Sequence, residues 1–238
     1  MRYGIFPKPI SQRRSVLPSI GMRKTREIFL APWYTENVRR EYGLSAGRTV
    51  LFVGRTVYHK GLSFLLEAVD VARRRLPGVK LVVVGSPLFG AVKRNRFLKG
   101  LEERASEMGD AVSFTGYVDH DRTPYFYAAV DVVVVPSVWG EPFGKVVTES
   151  MAAGVPVIGS RRGAIPEIVE DGVEGALVDD PGDVEALAHC IVEMLEDAEK
   201  RREMGAAARR KAVAHFATPV RLARVQAFYG SMGAQMRR

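Results

Sequence analysis

Four charged residues stand beside glycines in a pattern that suits a phosphorylated diol: Arg55 and Lys60 in one stretch, Glu141 and Glu149 in another. Arg55 follows Gly54, and Lys60 precedes Gly61. A planar guanidinium fork and an ammonium point charge on one short loop can converge on an anion such as a diphosphate, and glycine lets the backbone turn tightly around it. The run Val138-Trp139-Gly140-Glu141-Pro142-Phe143-Gly144-Lys145 leads into the apolar helical stretch Val146 to Ala153. Free N–H groups near Phe143, Gly144 and Lys145 would point out of that helix start, where the helix dipole adds roughly half a positive charge. Glu141 can reach a sugar hydroxyl, and Glu149 can accept from both hydroxyls of a ribose, because two carboxylate oxygens meet two vicinal donors. Each residue also has a plainer reading. Arg55 and Lys60 read equally as solvated loop charges, Glu141 as a turn residue before proline, and Glu149 as a solvated helix position.

Short β-branched runs recur from residue 49 onward, at Thr49 to Val53, Lys80 to Val84, Val112 to Thr115, Val132 to Val135, Pro156 to Ile158 and Ala176 to Val178. Amphipathic segments separate them, at Gly61 to Arg75, Arg94 to Met108, Thr123 to Ala129, Gly144 to Ala153, Ile165 to Glu170 and Val184 to Leu195, with two further helices at Glu199 to His215 and Pro219 to Met232. That alternation predicts an α/β fold, a single Rossmann-like, doubly wound parallel sheet of about six strands. Ligands of such sheets lie beyond the carboxyl ends of the strands, which is where Gly54, Gly85 and Glu141 fall. Residues 1–48 differ in kind. They mix prolines and basic residues with one apolar run, Ile28 to Ala31, and read as an arm or linker.

The chain has 238 residues, 47% hydrophobic and 26% charged, enough for one domain with extensions. No run approaches the roughly 18–20 apolar residues of a membrane span, and the first 30 residues lack the apolar centre of a secretion signal. A soluble cytoplasmic protein is expected. The net charge of +8 is concentrated in residues 1–26, where seven Lys and Arg stand without an acid, so peripheral contact with an anionic membrane face is compatible with it. The prolines in that arm favour a solvated tail, and nucleic-acid binding is disfavoured because the chain shows no sustained aromatic-basic interleaving of the kind that stacks bases. One cysteine, Cys190, excludes an internal disulfide and reads as a buried structural thiol on an apolar helix face. Four scattered histidines form no structural zinc set with it, and His59 and His120 read as solvated loop residues. Asp131 reads as a connector before its strand, and Trp139 as either a wall of a sugar pocket or loop packing.

The segment from Glu141 to Glu149, within EPFGKVVTESMAAGVPVIGS, resembles the signature of retaining glycosyltransferases of family 4, which have the GT-B architecture. LFVGRTVYHKGLSFLLEAV is similar to that family's diphosphate-binding loop and helix, and VSFTGYV to its base-binding segment. YFYAAVDVVVVPS is similar to the strand before the signature, and RGAIPEIVEDGVEGALVDDPGDVEAL to the closing segments. The match covers about residues 49–216 and rests on five motifs in series. The resemblance implies that Arg55 and Lys60 hold the donor diphosphate and stabilise charge as it leaves. It also implies that Glu141 contacts the transferred sugar, that Phe143, Gly144 and Lys145 offer backbone amides, and that Glu149 binds the ribose. Gly85 would line the donor cleft, and the backbone around Tyr117 and Val118 would meet the base. No metal and no other cofactor is expected.

By the same resemblance the chain corresponds to the C-terminal, donor-binding half of a GT-B enzyme. Residues 1–48 then include the interdomain linker, residues 49–216 form the nucleotide-sugar-binding domain, and residues 217–238 form the helix that crosses back toward the first domain. The expected partners are a nucleotide-sugar donor, an acceptor that is a sugar, a glycan or a lipid-linked sugar, and an N-terminal acceptor domain. A non-catalytic nucleotide-sugar-binding subunit remains the alternative, with a basic nucleic-acid-binding protein behind it.

Overall fold

The computed structural model describes residues 32–86 and 96–235. The basic arm 1–26, the apolar run Ile28 to Ala31, Pro87 and the expected helix start at Arg94 lie outside these residues.

Six parallel strands form one sheet: β1 (Thr49–Val53), β2 (Lys80–Val84), β3 (Val112–Gly116), β4 (Val132–Val135), β5 (Val157–Ser160) and β6 (Gly175–Val178), in the order β3-β2-β1-β4-β5-β6. Nine α-helices accompany them among the described residues: α1 (Pro32–Tyr42), α2 (Leu62–Arg75), α3 (Arg96–Glu107), α4 (Thr123–Ala129), α5 (Lys145–Ala153), α6 (Ile165–Ile168), α7 (Val184–Glu196), α8 (Ala198–His215) and α9 (Thr218–Gln235). The central strands are apolar on both faces because helices cover both. Val50, Phe52, Leu81, Val83, Val132 and Val134 pack in one core with residues of α2, α3 and α7. Their neighbours Leu51, Val82, Val84, Val133 and Val135 pack in a second core with α1, α4, α5 and α8. The period of two in a strand sends alternate side chains to opposite layers, so a run of valines serves both cores at once.

The strand order reverses between β1 and β4, which pair in register at Val50↔Val132 and Leu51↔Val133. Loops leaving two such strands turn to opposite faces and leave a crevice at their carboxyl ends. Asp131 fixes this pair from below, its Oδ2 accepting from the backbone N–H of Arg48 at 3.1 Å and of Thr49 at 3.0 Å.

The structure departs from the sequence expectation at α1. The segment expected to be an arm or linker is helical from Pro32, and Val38, Tyr42 and Leu44 are buried with α4. Arg39 Nε donates to the Ala129 carbonyl at 3.0 Å, and the Tyr42 ring lies 5.7 Å from that of Phe126. Proline at the first helical position is compatible with a helix start, and an i,i+4 pair suffices as an apolar face. Strand β5 runs on to Ser160, and α6 stops at Ile168, after which the Glu170 N–H donates to Glu174 Oε2 at 2.7 Å. Cys190 is half-buried, not buried, and burial raises its thiol pKa. Helix α9 lies with Leu222, Val225, Phe228, Tyr229 and Met232 exposed. No helix among the described residues is long and apolar enough to cross a membrane.

Candidate functional site

The crevice opens where β1 and β4 end. After β1 the chain passes through Gly54 and Arg55 to a single 3-10 turn, Tyr58–Lys60, and α2 begins after Gly61. Gly61 has φ +72°, and a Cβ there would lie 1.8 Å from the Pro136 carbonyl oxygen, so the start of α2 is seated directly on the end of β4. Gly85 has φ +143°, and its Cβ would lie 1.8 Å from the Gly54 carbonyl oxygen. Glycine at these two positions lets three strand ends close upon one another.

The loop after β4 delivers Glu141 into this space. Glu141 is 7% exposed as a residue, and its carboxylate Oε1 accepts from Lys60 Nζ, from Ser137 Oγ at 2.5 Å and from Trp139 Nε1 at 3.2 Å. Burial alone would raise the carboxyl pKa, but the hydrogen bonds from Lys60 and Ser137, the Lys60 charge and the Trp139 bond outweigh it, and the group is held below its usual value. The backbone around it is equally constrained. Ser160 Oγ donates to the Ser137 carbonyl at 2.7 Å, and the Ala164 N–H donates to the Glu141 carbonyl at 2.8 Å. Gly163, at φ +56°, comes so near that a Cβ would stand 2.4 Å from the Glu141 backbone nitrogen.

Lys60 therefore rests on Glu141 instead of converging with Arg55, which is exposed and makes no ion pair with a described residue. Lys60 Nζ also lies 5.4 Å from the centre of the Trp139 ring, a cation-π distance. His59, expected to be solvated, is half-buried 5.0 Å from the same ring, with no partner for its Nε2. Burial first, and then the charges of Arg55 and Lys60, lower its pKa, so the imidazole is neutral at pH 7. His120 is exposed.

Helix α5 supplies the opposite wall. Its N-cap is Gly144, in the left-handed region at φ +66°, with no side chain capping the first turn. The N–H groups of Gly144, Lys145 and Val146 donate to no described residue. A helix start of this kind presents free donors and the positive end of the dipole. The enclosed space is about 150 Å³ and is lined by Gly54, Lys60, Ser137, Glu141, Gly144 and Lys145, among others.

The remaining predicted residues stand farther out. Glu149, one turn along α5, accepts from the buried Tyr127 hydroxyl at 2.9 Å and pairs with Lys145 Nζ at 3.4 Å. The Tyr127 pKa is raised well above its usual value by burial and then by the Glu149 charge, so the phenol remains a donor. Tyr117 is exposed and Val118 half-buried beyond β3, and neither lines the cavity. The Phe143 ring turns outward to Phe216, 6.3 Å away, with the Arg221 guanidinium 5.5 Å from its centre. Residue types alone missed the parts played by Ser137 and Tyr127. The one available signal was position, since Ser137 stands two residues past the end of β4 and Tyr127 lies in the short helix before it.

The sheet order, the crevice at the switch point and the occupied carboxylate in it define a Rossmann-like domain of the kind that forms the C-terminal half of GT-B proteins. The chain belongs to the family described as glycosyl transferases group 1, whose model matches residues 35–211. It is 37% identical over 181 residues to spore coat protein SA of Bacillus subtilis strain 168, covering 76% of this chain and 48% of that protein. It is 33% identical over 196 residues to the GDP-mannose-dependent alpha-(1-6)-phosphatidylinositol monomannoside mannosyltransferase of Mycolicibacterium smegmatis, covering 79% and 49% respectively. Among solved structures, Anabaena Alr3699/HepE in complex with UDP superimposes with a TM-score of 0.76 at 28% identity, covering 86% of this chain and 55% of that one. The chain thus spans about half the length of the curated relatives it matches.

Proposed function

We propose that this chain forms the donor-binding half of a retaining, metal-independent hexosyltransferase of family 4, holding a nucleoside diphosphate sugar while an acceptor is presented by a second domain. One observation carries the reading: Lys60, Glu141 and the uncapped start of α5 line one cavity at the topological switch point. A diphosphate placed there takes the free N–H groups of Gly144, Lys145 and Val146 from one side and Lys60 with Arg55 from the other. Lys60 exchanges its carboxylate partner for the more highly charged phosphates. As the bond from the anomeric carbon to the phosphate oxygen breaks, negative charge grows on the diphosphate, and these donors meet it without reorganisation of solvent. Removing one such group costs on the order of 3 kcal/mol in the transition state. In this reading the cations supply positive charge of the kind a divalent ion would supply, and no cofactor is required.

Glu141 accepts from a hydroxyl of the transferred sugar. Glu149, oriented by Tyr127, accepts from the ribose, while the backbone near Tyr117 and Val118 meets the base and Gly85 keeps the cleft open beside Gly54. HepE has been solved with UDP and with UDP-glucose, which supports a nucleotide-sugar donor. The mycobacterial relative, whose name specifies a phosphatidylinositol mannoside, supports a lipid-linked sugar among the acceptor classes. The second domain comes from a longer polypeptide or a partner chain, and the reaction runs in the cytoplasm or on a membrane face bordering it.

The division of labour between the two glutamates is testable by calorimetry. Glu149→Ala should weaken the bare nucleotide and the nucleotide sugar alike, by about tenfold. Glu141→Ala should weaken the nucleotide sugar by a similar factor and leave the bare nucleotide within about twofold. Equal losses for both ligands in both variants would contradict these roles.

A further inference from the structure

The Glu141 carboxylate is bonded asymmetrically. Three donors converge on Oε1, from Lys60, Ser137 and Trp139, whereas no described residue donates to Oε2. Oε2 is not sealed off either, because it is absent from the fully enclosed polar atoms that lack a partner, which are Thr56 Oγ1 and His59 Nε2. Glu141 lines the cavity, so its unbonded oxygen is the one available to a ligand. If Lys60 departs to a diphosphate, a side chain only 9% exposed loses its cationic partner. A buried carboxylate stripped of partners swings out or takes up a proton; the first removes it as an acceptor and the second leaves it a weaker, uncharged one. Two neutral donors then still hold Oε1: the Ser137 hydroxyl, whose own carbonyl is tied to Ser160, and the Trp139 indole N–H, whose ring is braced by His59.

We propose that Ser137 and Trp139 are positioning residues for Glu141: they anchor Oε1 so that Oε2 stays ionised and aimed into the cavity as the acceptor for a sugar hydroxyl after Lys60 has moved to the diphosphate. This deepens the donor-binding reading and rests on it. Both residues act through the carboxylate, although Ser137 also borders the cavity.

Two measurements on the same variants separate failure of the proposal from failure of the reading beneath it. The first is a carbon-13 NMR titration of the Glu141 carboxyl in the free protein, for wild type, Ser137→Ala and Trp139→Phe. Serine to alanine removes one atom, and phenylalanine keeps an aromatic face under Lys60 while losing the N–H. The charged and ionisable neighbours, Lys60, His59 and Arg55 on the loop after β1 and Lys145 on α5, are unchanged in both. Loss of a donor to the ionised form should move the Glu141 titration to higher pH in each variant. The second is calorimetry with UDP, GDP or ADP and the matching nucleotide sugars. Each variant should lose about tenfold in affinity for the sugar form and less than about twofold for the bare nucleotide. An unchanged Glu141 titration in both variants overturns the proposal, as does a parallel loss for both ligands. A shifted titration with no binding of any nucleotide sugar to wild type overturns the donor-binding reading and the sugar-facing role of Oε2 with it, leaving only the anchoring. If Trp139→Phe does not fold, Ser137→Ala alone decides the matter.

Discussion

Replacing Lys60 with alanine should remove nucleotide binding and, at neutral pH, destabilise the fold as well. The Glu141 side chain is 9% exposed, and its largest favourable partner is Lys60. Deleting one member of a buried pair leaves the other uncompensated, and the two donors that remain on Oε1 soften the loss to about 2 kcal/mol against the 3–5 typical of such sites. The pH dependence has a definite sign. The folded carboxyl pKa is depressed, so its stabilising contribution is present above the unfolded value and disappears as pH falls through the folded one. The deficit of Lys60→Ala should therefore be largest near pH 7 and should shrink in acid, where Glu141 protonates in both proteins. Urea unfolding at several pH values measures it. The double variant Lys60→Ala/Glu141→Ala should recover much of the stability and none of the nucleotide affinity, which separates the structural from the binding role of Lys60. A single variant as stable as wild type at pH 7 would show that the pair contributes nothing to the fold.

The second large effect is expected at Gly61. An alanine there places Cβ 1.8 Å from the Pro136 carbonyl oxygen and 2.8 Å from its carbon, while φ is +72°. A backbone carbonyl at the end of a central strand cannot step aside as a flexible side chain does, so either α2 or β4 must shift. The cost should be about 3 kcal/mol or more. Gly78 is the matched control. Its φ is +88°, but no atom lies within 4 Å of a Cβ, so alanine there meets only the conformational penalty of about 1–2 kcal/mol. Denaturant midpoints for the two variants should differ clearly. Nucleotide binding should fail only in Gly61→Ala, because Lys60 and Val138 move with the same contact, through the hydrogen bond from the Val138 N–H to the His59 carbonyl. Equal losses in the two variants would mean that the close approach carries no weight.

The sheet was legible because its central strands are buried on both faces and therefore read as unbroken β-branched runs, two of them, Thr49 to Val53 and Lys80 to Val84, with glycine directly beyond. Val132 to Val135 is the plainest case, since four valines in succession fit no amphipathic helix. Helix α1 was not legible for the opposite reason. Among the residues whose burial is described, its buried face is Val38 and Tyr42 between charged neighbours, and its place depends on α4, ninety positions away for the Arg39–Ala129 bond. The site divides in the same way. Glycines, cations and carboxylates at the strand ends were visible as chemistry. The pairing of Lys60 with Glu141 was not, because it arises from the adjacency of β1 and β4 across 81 positions of sequence. Ser137 and Tyr127 were hidden by their ordinariness. A serine after a strand reads as a turn, a tyrosine in YFYAAV reads as core, and only the packing of α4 against α5 turns its hydroxyl toward Glu149.

Calorimetric titration of the whole chain with UDP, GDP and ADP, then with the matching nucleotide sugars, for wild type and Arg55→Ala, tests the donor-site claim most directly. Arg55 is exposed and unpaired with any described residue, so its loss should leave stability nearly unchanged and any effect on affinity is an effect on the ligand. The account predicts that wild type binds one of the three nucleotides, that the sugar form binds at the same site, and that Arg55→Ala weakens both by about tenfold or more. Absence of binding by wild type to every nucleotide and nucleotide sugar, or binding that Arg55→Ala leaves untouched, would contradict it.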